Sequence, residues 1–478
     1  ELRPALFYAG AVMQTQSGVN VGTFCIMDIK PRPDFGPEQL AILESMASQA
    51  AQYLNHRALL VRPANLRLLN RIIERYPLAS KPSKIPDSTD VVVLGAGPAG
   101  STAACRLAFA GLKVALVEPN DFFGAPTGIK SKVLREVAQQ YGKNTTWDQV
   151  KQVGSMIAAQ DAKRIRSQIE RYGVHIVQGR GKIIPPANEN SGHTRIAITD
   201  NQSTIHVCQT RATVLSTGSK ARRLGSIPFD DKHVFDSDSI SRLTRKPHSL
   251  LIQGNGVIAI EYATIFAEMG VTVTMISRRS KEDLLPQLDS ALTHAVLGDL
   301  QERGVEILFH SSLVSVQVQH GAAEIVLEQS GQEVQKEVDV FLSAVGRVPC
   351  ATDLGLEALE QGQESSQTNT IETNSWLRMV GNREPIYAIG DLSGSGLACR
   401  AVLQAQRAVD DLLPLLIQGK NEPHREPAPH ETIAGQAASV VWAIPEVAFV
   451  GMTQSQAQDL YGDDQVVCTT AHFADTTR

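Results

Sequence analysis

Three things are missing from this sequence. It has no CxxC pair, no block of basic residues and no uninterrupted apolar run long enough for a membrane span. Its six cysteines, at 25, 105, 208, 350, 399 and 468, are scattered without His/Cys ligand spacing. That argues against a zinc site and a disulfide scaffold, and points to a reducing, cytoplasmic compartment. The charge balance, 45 basic against 50 acidic residues for a net −5, gives no footprint for nucleic acid. The longest apolar stretches, around 91–117 and 250–276, are interrupted by Arg106 and Lys113 and by Glu261 and Glu268, so no membrane partner is expected. The chain begins at Glu1, without Met or a signal-peptide pattern, and reads as an internal fragment or a processed chain.

What is present is an ordinary globular composition, 42% hydrophobic and 20% charged, over 478 residues. That length suits about three domains. The organising stretch is Asp90 to Glu118. The apolar run Val91–Leu94 enters Gly95-Ala-Gly97-Pro-Ala-Gly100, a helical pattern follows to Ala110, and a second apolar run, Val114–Val117, ends in Glu118. Strand, glycine turn, helix, strand and acid make a dinucleotide-binding βαβ unit. Gly95 permits the tight turn, Gly97 lets the backbone approach a pyrophosphate, and Gly100 lets helix and strand pack closely. The helix N-terminus offers N–H groups to phosphate, and Glu118 stands where a carboxylate accepts from a ribose.

The pattern recurs. Ser249–Gln253 is a strand, Gly254-Asn-Gly256-Val-Ile-Ala259 the turn, Ala259–Met269 a helix and Val271–Ile276 the second strand. The second strand runs into Ser277-Arg278-Arg279, where an NAD site usually carries an acid. Arginines there suit a 2′-phosphate, so NADP(H) is expected, with NAD(H) beside two exposed arginines as the alternative.

Residues between and after the two units carry a resemblance. Glu118 is followed by Gly124, Gly128 and Ser131-Lys132-Val-Leu134-Arg135. A small β meander, broken by a glycine turn at Gly179, leads to strand Ala212–Leu215, which ends in Ser216-Thr217-Gly218-Ser219. A meander over 305–345 ends in Ala344-Val-Gly346-Arg347-Val-Pro349. A further strand, Ile386–Leu392, delivers Gly390-Asp391 ahead of Leu397-Ala398 and a helix. In this order the motifs resemble the pyridine nucleotide-disulfide oxidoreductase family. The resemblance implies FAD on Gly95, Gly97, Gly100, Glu118, Thr217, Gly218, Gly346, Gly390, Asp391, Leu397 and Ala398. It implies the nicotinamide nucleotide on Gly254, Gly256, Ala259, Arg278 and Arg279. It also implies a Lys132–Glu261 pair at flavin N5, in which Lys132 and Glu261 are the catalytic candidates. The family's Pro-Ser-Lys turn reads Lys130-Ser131-Lys132 here. No cysteine lies between Cys105 and Cys208. The family's redox dithiol is therefore absent, which resembles the soluble transhydrogenases.

At the N-terminus, Ala5–Val12 and Val21–Met27 read as strands around Ser17-Gly18, followed by a helix from Pro37. Phe7-Tyr-Ala-Gly10, Gly22–Asp28, Pro31-Arg32 and Phe35–Leu40 resemble the C-terminal half of a GAF domain, a small-molecule sensor and dimerisation module. Cys25 reads as a small buried hydrophobe or as a chromophore or redox residue. Leu59–Tyr76 reads as a spacer helix or a signal-transmitting one, ahead of a proline-punctuated linker.

The expected fold class is α/β. Two Rossmann-like three-layer domains bind FAD and NAD(P), preceded by a partial α+β GAF domain and followed by a truncated α+β dimerisation domain. Boundaries are expected at 1–58 (GAF), 59–87 (linker), 88–235 and 346–425 (FAD), 236–345 (NAD(P)) and 426–478 (dimerisation). Val441–Thr453 resembles the start of the family's interface domain, while its His-Pro…Glu pair is absent. The resemblance implies a homodimer in the full-length parent and hydride transfer from nicotinamide through FAD to a second acceptor, a pyridine nucleotide in the transhydrogenase type. The alternatives are a diaphorase or quinone reductase, and a non-catalytic redox sensor coupled to the GAF module.

Overall fold

The computed structural model describes residues 7–14, 20–28, 85–120, 123–124, 126–185, 193–359, 371–380, 385–394, 396–419 and 437–469, the first two stretches by backbone alone. The chain divides into two units, Glu1–Pro77 and Leu78–Arg478. In the first, β1 (Phe7–Gln14) and β2 (Asn20–Asp28) pair antiparallel, Phe7 with Asp28 and Gly10 with Cys25. These are the two strands expected around Ser17-Gly18. The turn itself, the Pro37 helix and the connector up to Lys84 lie outside the described residues.

The second unit opens with β3 (Ser88–Leu94), α1 (Pro98–Phe109) and β4 (Val114–Glu118). Helices α2 (Pro126–Tyr141) and α3 (Trp147–Arg171) follow, the latter started by a capping box between Thr146 and Gln149. Then come β5 (His175–Ile184), β6 (Thr194–Asp200), β7 (Ile205–Leu215), β8 (Ser219–Ala221) and β9 (Val234–Asp236). The second βαβ unit is β10 (Ser249–Gln253), α4 (Val257–Glu268) and β11 (Thr272–Ile276), continued by α5 (Ser290–Glu302) and β12 (Glu306–Leu308). A meander of β13 (Ser311–Gln319), β14 (Ala322–Gln329) and β15 (Gln332–Val338) leads to β16 (Val340–Ser343) and β17 (Arg347–Pro349). The last elements are β18 (Ile386–Ala388), α6 (Ala398–Gln418), β19 (Ser439–Val441), β20 (Val447–Phe449) and α7 (Gln454–Tyr461).

Two sheets dominate. The first has the order β18-β7-β3-β4-β5-β6, its central strands parallel and β6 pairing antiparallel with both β5 and β7. Strand β3 lies between β7 and β4, which is why Val91–Leu94 form an unbroken apolar run: neither face meets water. Small residues on α1 (Ala99, Ala103, Ala104) and on α6 (Ala401, Ala405, Ala408) share one core with Val91 and Val93. The other sheet face is packed by Ile183, Ile196, Leu354 and Ile371. The second sheet, β12-β11-β10-β16-β9, is wholly parallel. Its helical side holds Ile260, Ala263, Phe266 and Leu297, and its other side packs against Val316, Ile325 and Leu327 of the β13–β15 meander. The boundary expected at 236 falls at the end of β9, a strand of the second sheet.

Three local expectations are corrected. Ser131-Lys132 lies in the first turns of α2, not in a turn, because Lys130 brings an N–H and no ring where the family has proline. Gly179 is not a turn residue either; it sits within β5, where a Cβ would lie 2.5 Å from the Thr199 carbonyl oxygen of β6. Ala212–Leu215 is the end of the longer strand β7. Among the described residues, no helix is long and apolar enough to cross a membrane, and no cluster of three or more His, Cys, Asp or Glu side chains is poised for a metal.

Candidate active site

The first glycine turn separates into residues the fold requires and one it does not. Gly95 has φ +103°, and a Cβ there would lie 2.4 Å from the Ser216 carbonyl oxygen. A Cβ on Gly100 would lie 1.9 Å from the Gly95 carbonyl oxygen. A Cβ on Gly97 would meet only Gly124 O, at an ordinary 3.9 Å. The second turn divides in the same way. Gly254 has φ +139° and would bring a Cβ to 2.5 Å from Ala344 O, whereas nothing lies within 4 Å of a Cβ on Gly256. Ala259, the third small residue of this turn, is fully buried. In both turns, then, the middle glycine keeps open a space that no protein atom fills. Gly97 and Gly256 are also the N-caps of α1 and α4, and neither helix start has a side-chain cap. The first-turn N–H groups are therefore left for an anion.

Glu118 closes the first site. Its Oε2 accepts from the Ala96 N–H at 2.9 Å, and its Oε1 accepts from the Asn120 N–H at 3.1 Å. The carboxylate thus reaches back from the end of β4 over the glycine turn. At the second site Arg278 and Arg279 are exposed, without an ion pair among the described residues. The Ser277 hydroxyl accepts from the Arg279 N–H at 3.1 Å and donates to its carbonyl at 3.2 Å, which fixes the loop that carries both guanidinium groups.

Lys132 of α2 and Glu261 of α4 meet, with Nζ 2.7 Å from Oε2. Lys132 is about a third exposed and Glu261 only 9%. The second carboxylate oxygen accepts from the Trp442 N–H at 2.9 Å. Beside this pair, burial pushes the Tyr262 phenol well above its ordinary range.

Asp391 stands in a short 3-10 turn after β18 and accepts from Ser219 Oγ at 2.6 Å. Arg347 Nε donates to the same hydroxyl at 2.8 Å, and its Nη1 donates to Asp238 at 2.7 Å. Gly390, at φ +74°, donates to Gln404 Oε1 at 2.7 Å, tying this turn to α6, whose N-cap is Leu397 and first residue Ala398. Thr217 Oγ1 donates to Cys350 O at 2.8 Å, and Cys350 N–H donates to Gly218 O at 2.9 Å, stitching the crossing between the sheets beside Gly346. Sequence reasoning missed Asp238 altogether, and had Ser219, Arg135, Arg347 and Trp442 only as parts of motifs, without the contacts they make here.

A sequence profile of the pyridine nucleotide-disulphide oxidoreductase family matches residues 89–437. This chain belongs to that family. The soluble pyridine nucleotide transhydrogenase of Chromohalobacter salexigens is 29% identical over 402 residues, 81% of each chain. Dihydrolipoyl dehydrogenase of Staphylococcus aureus is 28% identical over 401 residues, 78% of each chain. The crystal structure of LpdA from Mycobacterium tuberculosis has the same fold, with a TM-score of 0.67 at 24% identity over 78% of this chain and 80% of that one. Family membership makes this an oxidoreductase whose cofactors are FAD and NAD(P)H. The two glycine turns fit both: each leaves an open space over its middle glycine and an uncapped helix start. The relatives differ in the reaction they are named for, so the family leaves the final electron acceptor open.

Proposed function

We propose that this chain is an FAD-dependent NAD(P)H oxidoreductase of the transhydrogenase type, with a second pyridine nucleotide as acceptor and no dithiol step. When bound, FAD would supply a two-electron acceptor for the nicotinamide nucleotide. Gly95, Gly97, Gly100, Glu118, Asp391 and the Leu397-Ala398 helix start hold FAD. Gly254, Gly256, Ala259 and the Arg278-Arg279 pair hold the nicotinamide nucleotide, and the arginines favour a 2′-phosphate.

The observation that carries the reading is the 2.7 Å contact between Lys132 and Glu261, which links a helix of the first nucleotide unit to the helix that starts at the second. Lys132 keeps a positive charge where negative charge develops during hydride transfer, and Glu261 fixes that nitrogen in place. The absence of a dithiol rests on the cysteines. The five whose side chains are described are all free: Cys105 lies in α1, Cys208 is buried in β7, Cys350 follows β17, and Cys399 and Cys468 are exposed. The acceptor must then reach the flavin directly. We further propose that residues 1–58 are a partial GAF module, a reading supported by the antiparallel β1–β2 pair.

Stopped-flow mixing of the flavin-bound protein with NADPH and NADH, followed by a screen of thio-NAD, quinone and oxygen, tests the reading. Flavin bleaching by NADPH and rapid turnover with thio-NAD are expected. Turnover confined to quinone would replace the transhydrogenase reading with a quinone reductase. Bleaching without turnover on any acceptor would favour the sensor.

A further inference from the structure

Glu261 is held from two sides. Lys132 Nζ donates to its Oε2 at 2.7 Å, and the Trp442 peptide N–H donates to its Oε1 at 2.9 Å. The two donors lie far apart in sequence, one on α2 and one just after β19. With 9% of the Glu261 side chain exposed, little water is at hand to replace a lost partner. The place of the Trp442 N–H therefore sets the place of the carboxylate, and with it that of the lysine nitrogen.

Trp442 is itself held by the loop it begins. The Ile444 N–H donates to Thr264 Oγ1 of α4 at 3.3 Å. The Ala443 carbonyl accepts from Arg135 Nε at 2.9 Å. Glu446 Oε1 lies 2.6 Å from Arg135 Nη2, a charge contact at short range rather than an aligned hydrogen bond. Arg135 Nη1 pairs with Glu136 at 2.9 Å, and the Arg135 side chain has no solvent exposure at all. The Trp442 ring lies 5.8 Å from both Lys132 Nζ and the Arg135 guanidinium carbon. Arg135 follows Lys132 by three residues, so both project from one side of α2. One helix thus carries the lysine that touches Glu261 and the arginine that anchors the loop presenting the other donor.

We infer that Arg135, Glu446 and the loop 442–446 are positioning elements of the Lys132–Glu261 pair, so that the segment around β19 and β20 belongs to the redox site. This rests on the reading of that pair as part of the hydride-transfer site. Removing the Glu446 charge leaves the buried guanidinium undercompensated, releases the loop and withdraws the second donor from Glu261. The carboxylate is then free to shift, and Lys132 with it.

The flavin-bound full chain is compared as wild type, Glu446→Gln, Glu446→Asp and Lys132→Met, by stopped-flow flavin reduction with NADPH over roughly pH 6 to 9. Glu446→Gln is expected to slow reduction about tenfold and to move the midpoint of its pH profile by about one unit, and Glu446→Asp to return the rate to within about threefold of wild type. A Lys132→Met protein with the wild-type rate and profile would sink the reading of the pair and this inference together. An impaired Lys132→Met beside a Glu446→Gln protein with unchanged rate and profile sinks the positioning role alone, even when its melting temperature falls. Should Glu446→Gln not fold, Arg135→Lys takes its place. It keeps the charge but loses the fork that reaches Ala443 and Glu446, so a shifted profile supports the inference and an unshifted one overturns it.

Discussion

A Cβ on Gly100 would lie 1.9 Å from the Gly95 carbonyl oxygen, so the start of α1 and the end of β3 touch with no room for a methyl group. Gly100→Ala must push helix and strand apart and is expected to cost about 1–3 kcal/mol or more. Gly97→Ala meets nothing closer than 3.9 Å and sits at φ −67°, open to any residue. Its flavin-free form should unfold in urea like the wild-type flavin-free form while its FAD affinity drops. Equal destabilisation of the two flavin-free variants would show that Gly97 serves the fold and not the ligand.

Arg278 and Arg279 are exposed at the end of the second unit's strand β11. The double replacement by alanine should lower kcat/KM for NADPH about 10- to 100-fold, the worth of one or two charge-assisted contacts, and leave NADH within about threefold. The wild-type preference should also weaken with added salt, because exposed charges are screened. Parallel losses for NADPH and NADH would remove the 2′-phosphate reading.

Burial alone would raise Asp230, but the N–H groups of His233, Val234 and Lys232, together with the His233 ring, hold its carboxyl down to about 2. A carboxylate lowered on folding adds stability that is fully present above its ordinary value of 3.8 and is lost as the pH falls toward 2. Asp230→Asn should therefore be less stable than wild type at neutral pH, by on the order of 1 kcal/mol after solvent screening. The gap should close below pH 3.8. Urea titrations across that range measure it, and a gap that widens in acid would contradict the assignment.

Burial pushes the Cys105 and Cys208 thiols up to about 11, and Asp87 adds to the effect at Cys208. The thiolate is the reactive form. Native protein treated with iodoacetamide at mildly alkaline pH should be alkylated first at the exposed Cys399 and Cys468 and last at Cys105 and Cys208. Peptide mass spectrometry over time reads the order. Early labelling of Cys208 would mean that β7 opens far more readily than its burial allows.

The parts of the site that were legible in the sequence are those made by neighbours along the chain. Gly95-Ala-Gly97-Pro-Ala-Gly100 and Gly254-Asn-Gly256 announce themselves because turn, helix start and strand must follow one another closely, and both βαβ units stand where the periodicity places them. The Lys132–Glu261 contact joins residues 129 apart and came only from resemblance to a family. The Ser219–Asp391 and Glu261–Trp442 contacts join residues 172 and 181 apart, and no local pattern marks them. Gly179 shows the opposite failure. A glycine suggests a turn by composition, but the demand it meets is the approach of the neighbouring strand, which only the register of β5 on β6 reveals.

The ribbon of β8 and β17 pairs Ala221 with Arg347 and Ser219 with Pro349, so the chain leaves the first sheet and re-enters it at one place. Everything between is a closed excursion, and the first sheet must wait for it. Strand β18 pairs Ile386 with Thr213 and Ala388 with Leu215, so the end of β7 emerges during synthesis 173 residues ahead of its outer neighbour. At roughly 5–20 residues per second, that leaves Thr213–Leu215 as an open hydrogen-bonding edge on the nascent chain for about 10 to 35 seconds. During that interval the second sheet, whose strands β9 to β16 emerge before β18, is complete while the first lacks its last strand. The nested layout thus lets every strand of the second sheet emerge before the first sheet can be completed.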